Sequence, residues 1–157
     1  MAYQDDIKKA AALLLPWNKL SGCNILVTGA TGLIGGCLVD VLMAHKGRNY
    51  NVYASGRNEE RAGRRFLKYA DDNSFHFVKY DVAHPLEYDV NFQYIIHAAS
   101  GAYPEEFIKH PVEVIKGNIN GVDNLMGYGI QHGIKRLLYI SSGEVYGEGD
   151  GRVFTEN

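Results

Sequence analysis

The stretch NILVTGATGLIGG, residues 24 to 36, limits the fold more than any other part of the chain. An apolar run ends at Thr28 and gives way to Gly29, Gly32, Gly35 and Gly36. Glycine loses more backbone freedom on folding than any other residue, so it is costly inside a helix and weak inside a strand. Its concentration here marks a place where another group must approach the main chain closely. Ile25 to Val27 reads as a strand buried on both faces. Leu33, Ile34, Cys37, Leu38, Val41 and Leu42 recur at helical spacing just beyond. A strand, a glycine turn and a helix in that order form a ready phosphate site. Gly29 permits the tight turn, Gly32 admits a pyrophosphate to the backbone, and Gly35 lets the helix pack on the strand. The helix N-terminus adds unpaired N–H groups and about half a positive charge. No Gly-Lys-Ser/Thr follows, which separates this loop from the ATP-type phosphate loop.

The rest of the chain alternates strand and helix patterns. Residues 4 to 15 give a short amphipathic helix that stops before Pro16. Asn51 to Ser55, Phe75 to Lys79, Tyr94 to Ile96 and Leu137 to Ile140 are the further strands. A basic helix runs from about Glu59 to Tyr69. Another helix begins at Pro111, a residue suited to a first helical turn. Val112, Ile115, Ile119, Val122 and Met126 give it one apolar stripe. The tail from Gly147 to Asn157 reads as loop. Such alternation predicts an α/β fold of the Rossmann type: a doubly wound parallel sheet of about five strands, ordered 3-2-1-4-5, with helices on both faces. Residues 1–22 form an N-terminal helix and linker in this reading, and residues 23–157 the dinucleotide-binding domain.

Length and composition narrow the function. At 157 residues the chain fits one domain. Its formal charge of −2 argues against a general affinity for nucleic acid or an anionic membrane. No apolar run approaches the ~20 residues that span a bilayer. Cys23 and Cys37 lie beside apolar residues, as small hydrophobes in a reducing cytoplasm do. The six histidines show no ligand spacing, so no metal is expected.

Further motifs follow the glycines in a familiar order. They are YDVAH around Asp81 and Val82, HAAS from His97 to Ser100, NINGVDNLM with Asn118, and YISSGEVYG with Ser141, Ser142 and Glu144. Together with VTGATGLIGG this set resembles the extended short-chain dehydrogenases/reductases, the nucleotide-sugar epimerase and dehydratase group. The resemblance covers nearly all of the chain from residue 23 onward. It implies coenzyme contacts along Gly29, Thr31, Gly32, Leu33, Ile34 and Gly35. It places Asp81 and Val82 at the adenine, Ala98, Ala99 and Ser100 beside the adenosine ribose, and Asn118 and Ser141 nearby. Ser142 matches the serine that positions the sugar hydroxyl while hydride passes to the nicotinamide. Asp81 also has a reading as an ordinary turn aspartate, and Asn118 one as a clamp on neighbouring backbone.

The choice of coenzyme is read at the end of the second strand. NAD sites place a carboxylate about 20 residues past the glycines, on the ribose 2′-hydroxyl. Here Ser55, Gly56 and Arg57 stand in that region, and no carboxylate appears before Glu59. A small residue with an arginine fork favours a 2′-phosphate, so the NAD(P) site leans to NADP through Arg57, with Arg61 beside it. Arg57, Arg61, Arg64, Arg65 and Lys68 also fit one solvated helix face. That face accounts for Arg64 and Lys68 in either case.

Within the family, S-G-E-V-Y-G is closer to the T-S-E-V-Y-G of UDP-glucuronate decarboxylases and the T-D-E-V-Y-G of 4,6-dehydratases than to epimerase sequences. This points to dehydratase or decarboxylase chemistry, with Glu144 as an acid/base group or as a salt-bridged strand-end residue. No Tyr-x-x-x-Lys follows Ser142. The expectation is therefore the N-terminal, cofactor-binding portion of a longer nucleotide-sugar enzyme, inactive by itself. A homodimer is compatible with this reading. A coenzyme sensor without catalysis is the alternative on the same fold.

Overall fold

A computed structural model describes residues 2–100 and 104–147. Strands β1 (Asn24–Thr28), β2 (Asn51–Gly56), β3 (Phe75–Lys79), β4 (Tyr94–His97) and β5 (Arg136–Tyr139) form one sheet. Every neighbouring pair is parallel and the order is β3-β2-β1-β4-β5, as the alternation of patterns predicts. Helices α1 (Ala2–Ala11), α2 (Leu33–Ala44), α3 (Glu59–Phe66), α4 (Pro104–Lys109) and α5 (Pro111–Gln131) complete the described chain.

Both faces of the sheet are covered, which is why β1 reads as an unbroken apolar run. Side chains alternate across the pleat. Ile25 and Val27 join Val39, Leu42, Val52, Ala54, Ala62 and Phe66 under α2 and α3. Leu26 joins Tyr53, Phe92, Ile95, Leu125 and Tyr128 under α5. Phe92 and Leu125 are both fully buried. In register, Thr28 pairs with His97, and Leu26 with both Tyr53 and Ile95.

Four local expectations change. Helix α1 ends at Ala11, short of residue 15. The chain tightens at Ala12, whose N–H is shared between the Lys8 and Lys9 carbonyls, and Leu15 cannot continue a helix into Pro16. The indole N–H of Trp17 then donates to the Leu13 carbonyl at 2.9 Å. The basic helix stops at Phe66 and gives way to a 3-10 turn over Leu67–Tyr69. Helix α4 was not anticipated; six residues are too few for a periodic signal. The stripe on α5 exists but faces outward: Val112, Ile115, Ile119 and Met126 are exposed, and only Val122 is half-buried. The buried line is Val114, Gly121, Leu125, Tyr128 and Gly129. The expected loop over 147–157 lies outside the described residues beyond Gly147.

The basic face of α3 is also more than solvated charge. Asp40, on α2 and 1% exposed at its side chain, pairs with Arg65 at 2.5 Å and Lys68 at 2.9 Å. Tyr3 from α1 donates to it at 2.6 Å and Tyr69 at 2.9 Å. Lys68 is thus a partner of a buried carboxylate, while Arg64 does lie on the exposed face, paired with Glu60.

Candidate functional site

The glycine turn follows the carboxyl end of β1, at the point where the strand order reverses between β1 and β4. Ligands of open α/β sheets bind at such a switch point. Gly29 has φ +64°, a left-handed conformation that side chains disfavour. A Cβ there would lie 2.5 Å from the Ala98 carbonyl oxygen, so the end of β1 and the residues after β4 meet with no room for a side chain. A Cβ on Gly35 would lie 2.5 Å from the Gly29 carbonyl oxygen, which fixes the start of α2 against the turn. Gly32 differs: only the Gly29 oxygen comes near, at 3.2 Å, and the residue is exposed. Gly29 thus makes the tight turn and Gly35 packs the helix against it, while Gly32 stays exposed.

Gly32 is also the N-cap of α2 and offers no side chain to the first-turn amides. Those N–H groups have no intrahelical partner. Leu33 is 86% exposed and Ile34 is exposed beside it, and neither side chain folds back over the helix mouth among the described residues. The cradle fits a diphosphate: bare amides, a positive helix end and open space above Gly32. Gly29, Thr31, Gly32, Leu33, Ile34 and Gly35 are the residues that would hold it.

The other chosen residues surround this mouth at the carboxyl ends of the remaining strands. Arg57 follows β2, is exposed and has no ion-pair partner among the described residues. The two glutamates nearest to it are engaged elsewhere, Glu59 with Lys79 at 2.9 Å and Glu60 with Arg64. A Cβ on Gly56 would sit 3.5 Å from the Thr31 hydroxyl, so the last residue of β2 faces the glycine turn. Asp81 follows β3. Its carboxylate accepts from the Ala83 N–H at 3.1 Å, which is the turn role the sequence left open. Val82 is half-buried next to it.

Ala98, Ala99 and Ser100 follow β4, and the Ala98 N–H donates to the Thr28 carbonyl. The Ser100 hydroxyl donates to Asn118 Oδ1 at 2.9 Å, tying this segment to α5. Asn118 is thus a clamp between a loop and a helix through a side chain. Ser141 and Ser142 follow β5, both exposed. Glu144 lies in a 3-10 turn over Gly143–Tyr146, and its side chain is outside what is described.

One position escaped sequence reasoning. Asn124 Nδ2 donates to the Val82 carbonyl at 2.9 Å, so α5 holds the loop after β3. The last asparagine of NINGVDNLM, three residues past Gly121, was the available signal. His97 is fully buried. Its Nδ1 bonds the Thr28 hydroxyl at 2.7 Å, and its Nε2, without a hydrogen-bond partner among the described residues, faces Gly121. Burial lowers its pKa, which keeps the ring neutral, a packed strand-end role.

Fold and mouth together define a Rossmann-type α/β domain. The chain belongs to the NAD dependent epimerase/dehydratase family, whose model matches residues 25–157. It is 33% identical over 132 residues to UDP-glucuronic acid decarboxylase 2 of Arabidopsis thaliana, covering 83% of this chain and 28% of that protein. UDP-glucuronic acid decarboxylase 1 of Danio rerio is 32% identical over 79% of this chain and 28% of its own length. The chain therefore spans less than a third of these two relatives. Among solved structures it shares its fold with the dTDP-glucose 4,6-dehydratase DesIV of Streptomyces venezuelae, solved with NAD bound. That likeness has a TM-score of 0.71 at 22% identity, over 84% of this chain and 43% of the other. The UDP-Glc/GlcNAc 4-epimerase of Campylobacter jejuni gives a TM-score of 0.70 at 21% identity, over 86% and 42%.

Proposed function

We propose that these residues form the coenzyme half of an NAD(P)-dependent enzyme acting on a nucleotide sugar, in the decarboxylase or dehydratase branch. The observation that carries this reading is the uncovered mouth of α2 beside Gly32, with Gly29 and Gly35 packed too tightly for any side chain. When bound, the nicotinamide would exchange hydride with a sugar carbon bearing a hydroxyl. Ser142 is assigned to orient that hydroxyl, and Glu144 to acid/base work on the same substrate. Asp81 and Val82 are assigned to the adenine, and Ala98 to Ser100, with Asn118 and Ser141, to the ribose side. The curated relatives named as UDP-glucuronic acid decarboxylases support that branch.

Arg57 gives the site a lean toward NADP. It is unpaired among the described residues, and the neighbouring glutamates are held by Lys79 and Arg64. A cytoplasmic location and a homodimer built on the outward stripe of α5 belong to the same reading. So does the expectation that the 157 residues alone bind dinucleotide weakly, if at all, and turn over no sugar, since they contain no Tyr-x-x-x-Lys.

Calorimetric titration of the full-length protein with NADP and NAD tests the proposal. NADP should bind more tightly than NAD, and Arg57→Ala should remove the difference while sparing NAD. Heat from neither coenzyme would count against the coenzyme reading. Equal affinity before and after the substitution would remove the NADP assignment alone.

A further inference from the structure

The coenzyme mouth lies at the carboxyl ends of the strands; the amino ends carry a second, unassigned feature. The turn after α1 presents Leu13, Leu14 and Leu15 at 57%, 104% and 52% exposure. Leu14 projects wholly into solvent. The turn is held in place, because the Trp17 indole donates to the Leu13 carbonyl and stacks on His45 at 4.2 Å. Beside it opens a cavity of about 470 Å³, lined by Leu15, Trp17, Tyr94, Lys19, Lys135 and Arg136 among others. Tyr94 and Arg136 are the first residues of β4 and β5, which places the cavity at the amino end of the sheet.

The charge here is one-sided. The segments that meet at the cavity, 13–28, 91–97 and 130–140, contain Lys19, Lys135 and Arg136 and no Asp or Glu. None of the three cations has an ion-pair partner among the described residues. Lys135 lies over the Tyr94 ring at 5.9 Å. Asp72, ahead of β3, is paired with Arg48, and the exposed Asp89 stands five residues ahead of Tyr94. Asp5 and Asp6 stand toward the far end of α1. A net charge of −2 therefore conceals a local cationic, apolar and aromatic patch.

We propose that this patch docks on the surface of an anionic lipid bilayer, with Leu13 to Leu15 entering the interface and the three cations meeting lipid phosphates. Protruding leucines need a matching hole in a protein partner, whereas a fluid interface accepts them in any arrangement. Trp17 and Tyr94 suit the headgroup level, and each cation near an anionic leaflet adds attraction. A second copy packed symmetrically on the same face would set like charges against each other. A small soluble anion would leave the leucines without a role. Docking by the amino ends leaves the coenzyme mouth facing the solution, because the two ends of a parallel sheet point in opposite directions.

Trp17 is the chain's single tryptophan, so its emission reports on the patch directly. The full chain is mixed with phosphatidylcholine vesicles, with and without phosphatidylglycerol. Sedimentation with the anionic vesicles, a blue shift of Trp17 emission and release by high salt are the expected results. Leu14→Glu should lower partitioning about tenfold with an unchanged melting temperature, as the site is wholly exposed. The double variant Lys19→Glu, Arg136→Glu should lower it by at least as much. No sedimentation with anionic vesicles, or equal binding by the Leu14→Glu variant, overturns the proposal. Equal binding to neutral vesicles overturns its electrostatic part. Binding of polyglutamate as tight as that of vesicles, and insensitive to Leu14→Glu, would reassign the patch to an acidic polypeptide.

Discussion

Asp40 shows how one residue can govern three elements. Burial alone would raise its pKa, but the donors from Arg65, Tyr3, Lys68 and Tyr69 outweigh it and hold the carboxyl at about 2. The same contact, with burial first, pushes the Tyr3 phenol up to about 12. A carboxylate whose folded pKa lies below its unfolded value contributes stability above about pH 4, lost as pH falls toward the folded value. Asp40→Asn should cost about 2 kcal/mol in urea melts at neutral pH, since Arg65 and Lys68 keep partial access to water. The gap between variant and wild type should close below about pH 4. His97 acts in the same direction by another route. Kept neutral by burial, it resists the proton that the unfolded chain takes up below about pH 6.5, so acid weakens the fold there as well. Gly29→Ala tests the turn itself. With φ +64° and a carbonyl oxygen 2.5 Å from the new carbon, it should cost about 3 kcal/mol or more and abolish coenzyme heat.

Among the elements, α5 is the one whose role the sequence conceals. Its outward stripe is more regular than its buried line, because the sheet side uses Gly121 and Gly129 for close approach. A Cβ on Gly121 would meet His97 Nε2 at 2.9 Å, and one on Gly129 would meet Ile134 at 2.9 Å. Periodicity counts apolar residues and is blind to glycines that pack. The same helix reaches the loops after β3 and β4, through Asn124 to Val82 and Asn118 to Ser100. Asn124→Leu should leave the Val82 carbonyl without its donor. Affinity for 5′-AMP, the adenosine part of the coenzyme, should fall about tenfold. Affinity for nicotinamide mononucleotide should not change. A uniform loss for both ligands would show that α5 supports the fold and not the adenine loop.

For the whole molecule, coenzyme binding and folding stability are linked. A ligand that binds only the folded state at a hundredfold excess over its Kd should add about 2.7 kcal/mol, read as a higher Tm in a thermal scan. The strand order and the glycine turn were legible from residues 24 to 36 and the strand patterns alone. Apolar runs, glycine spacing and turn chemistry are local, and local steric rules confine them to a small set of outcomes. The Asp40 cluster and the Asn124 tie were not legible. They join residues 25 to 42 positions apart, and no local rule specifies which partners meet. The sequence by itself determined that a strand would hand its chain to a helix through a tight glycine turn. The tertiary structure decided what stands around that turn and which charges remain free, because burial and pairing exist only once distant segments have packed.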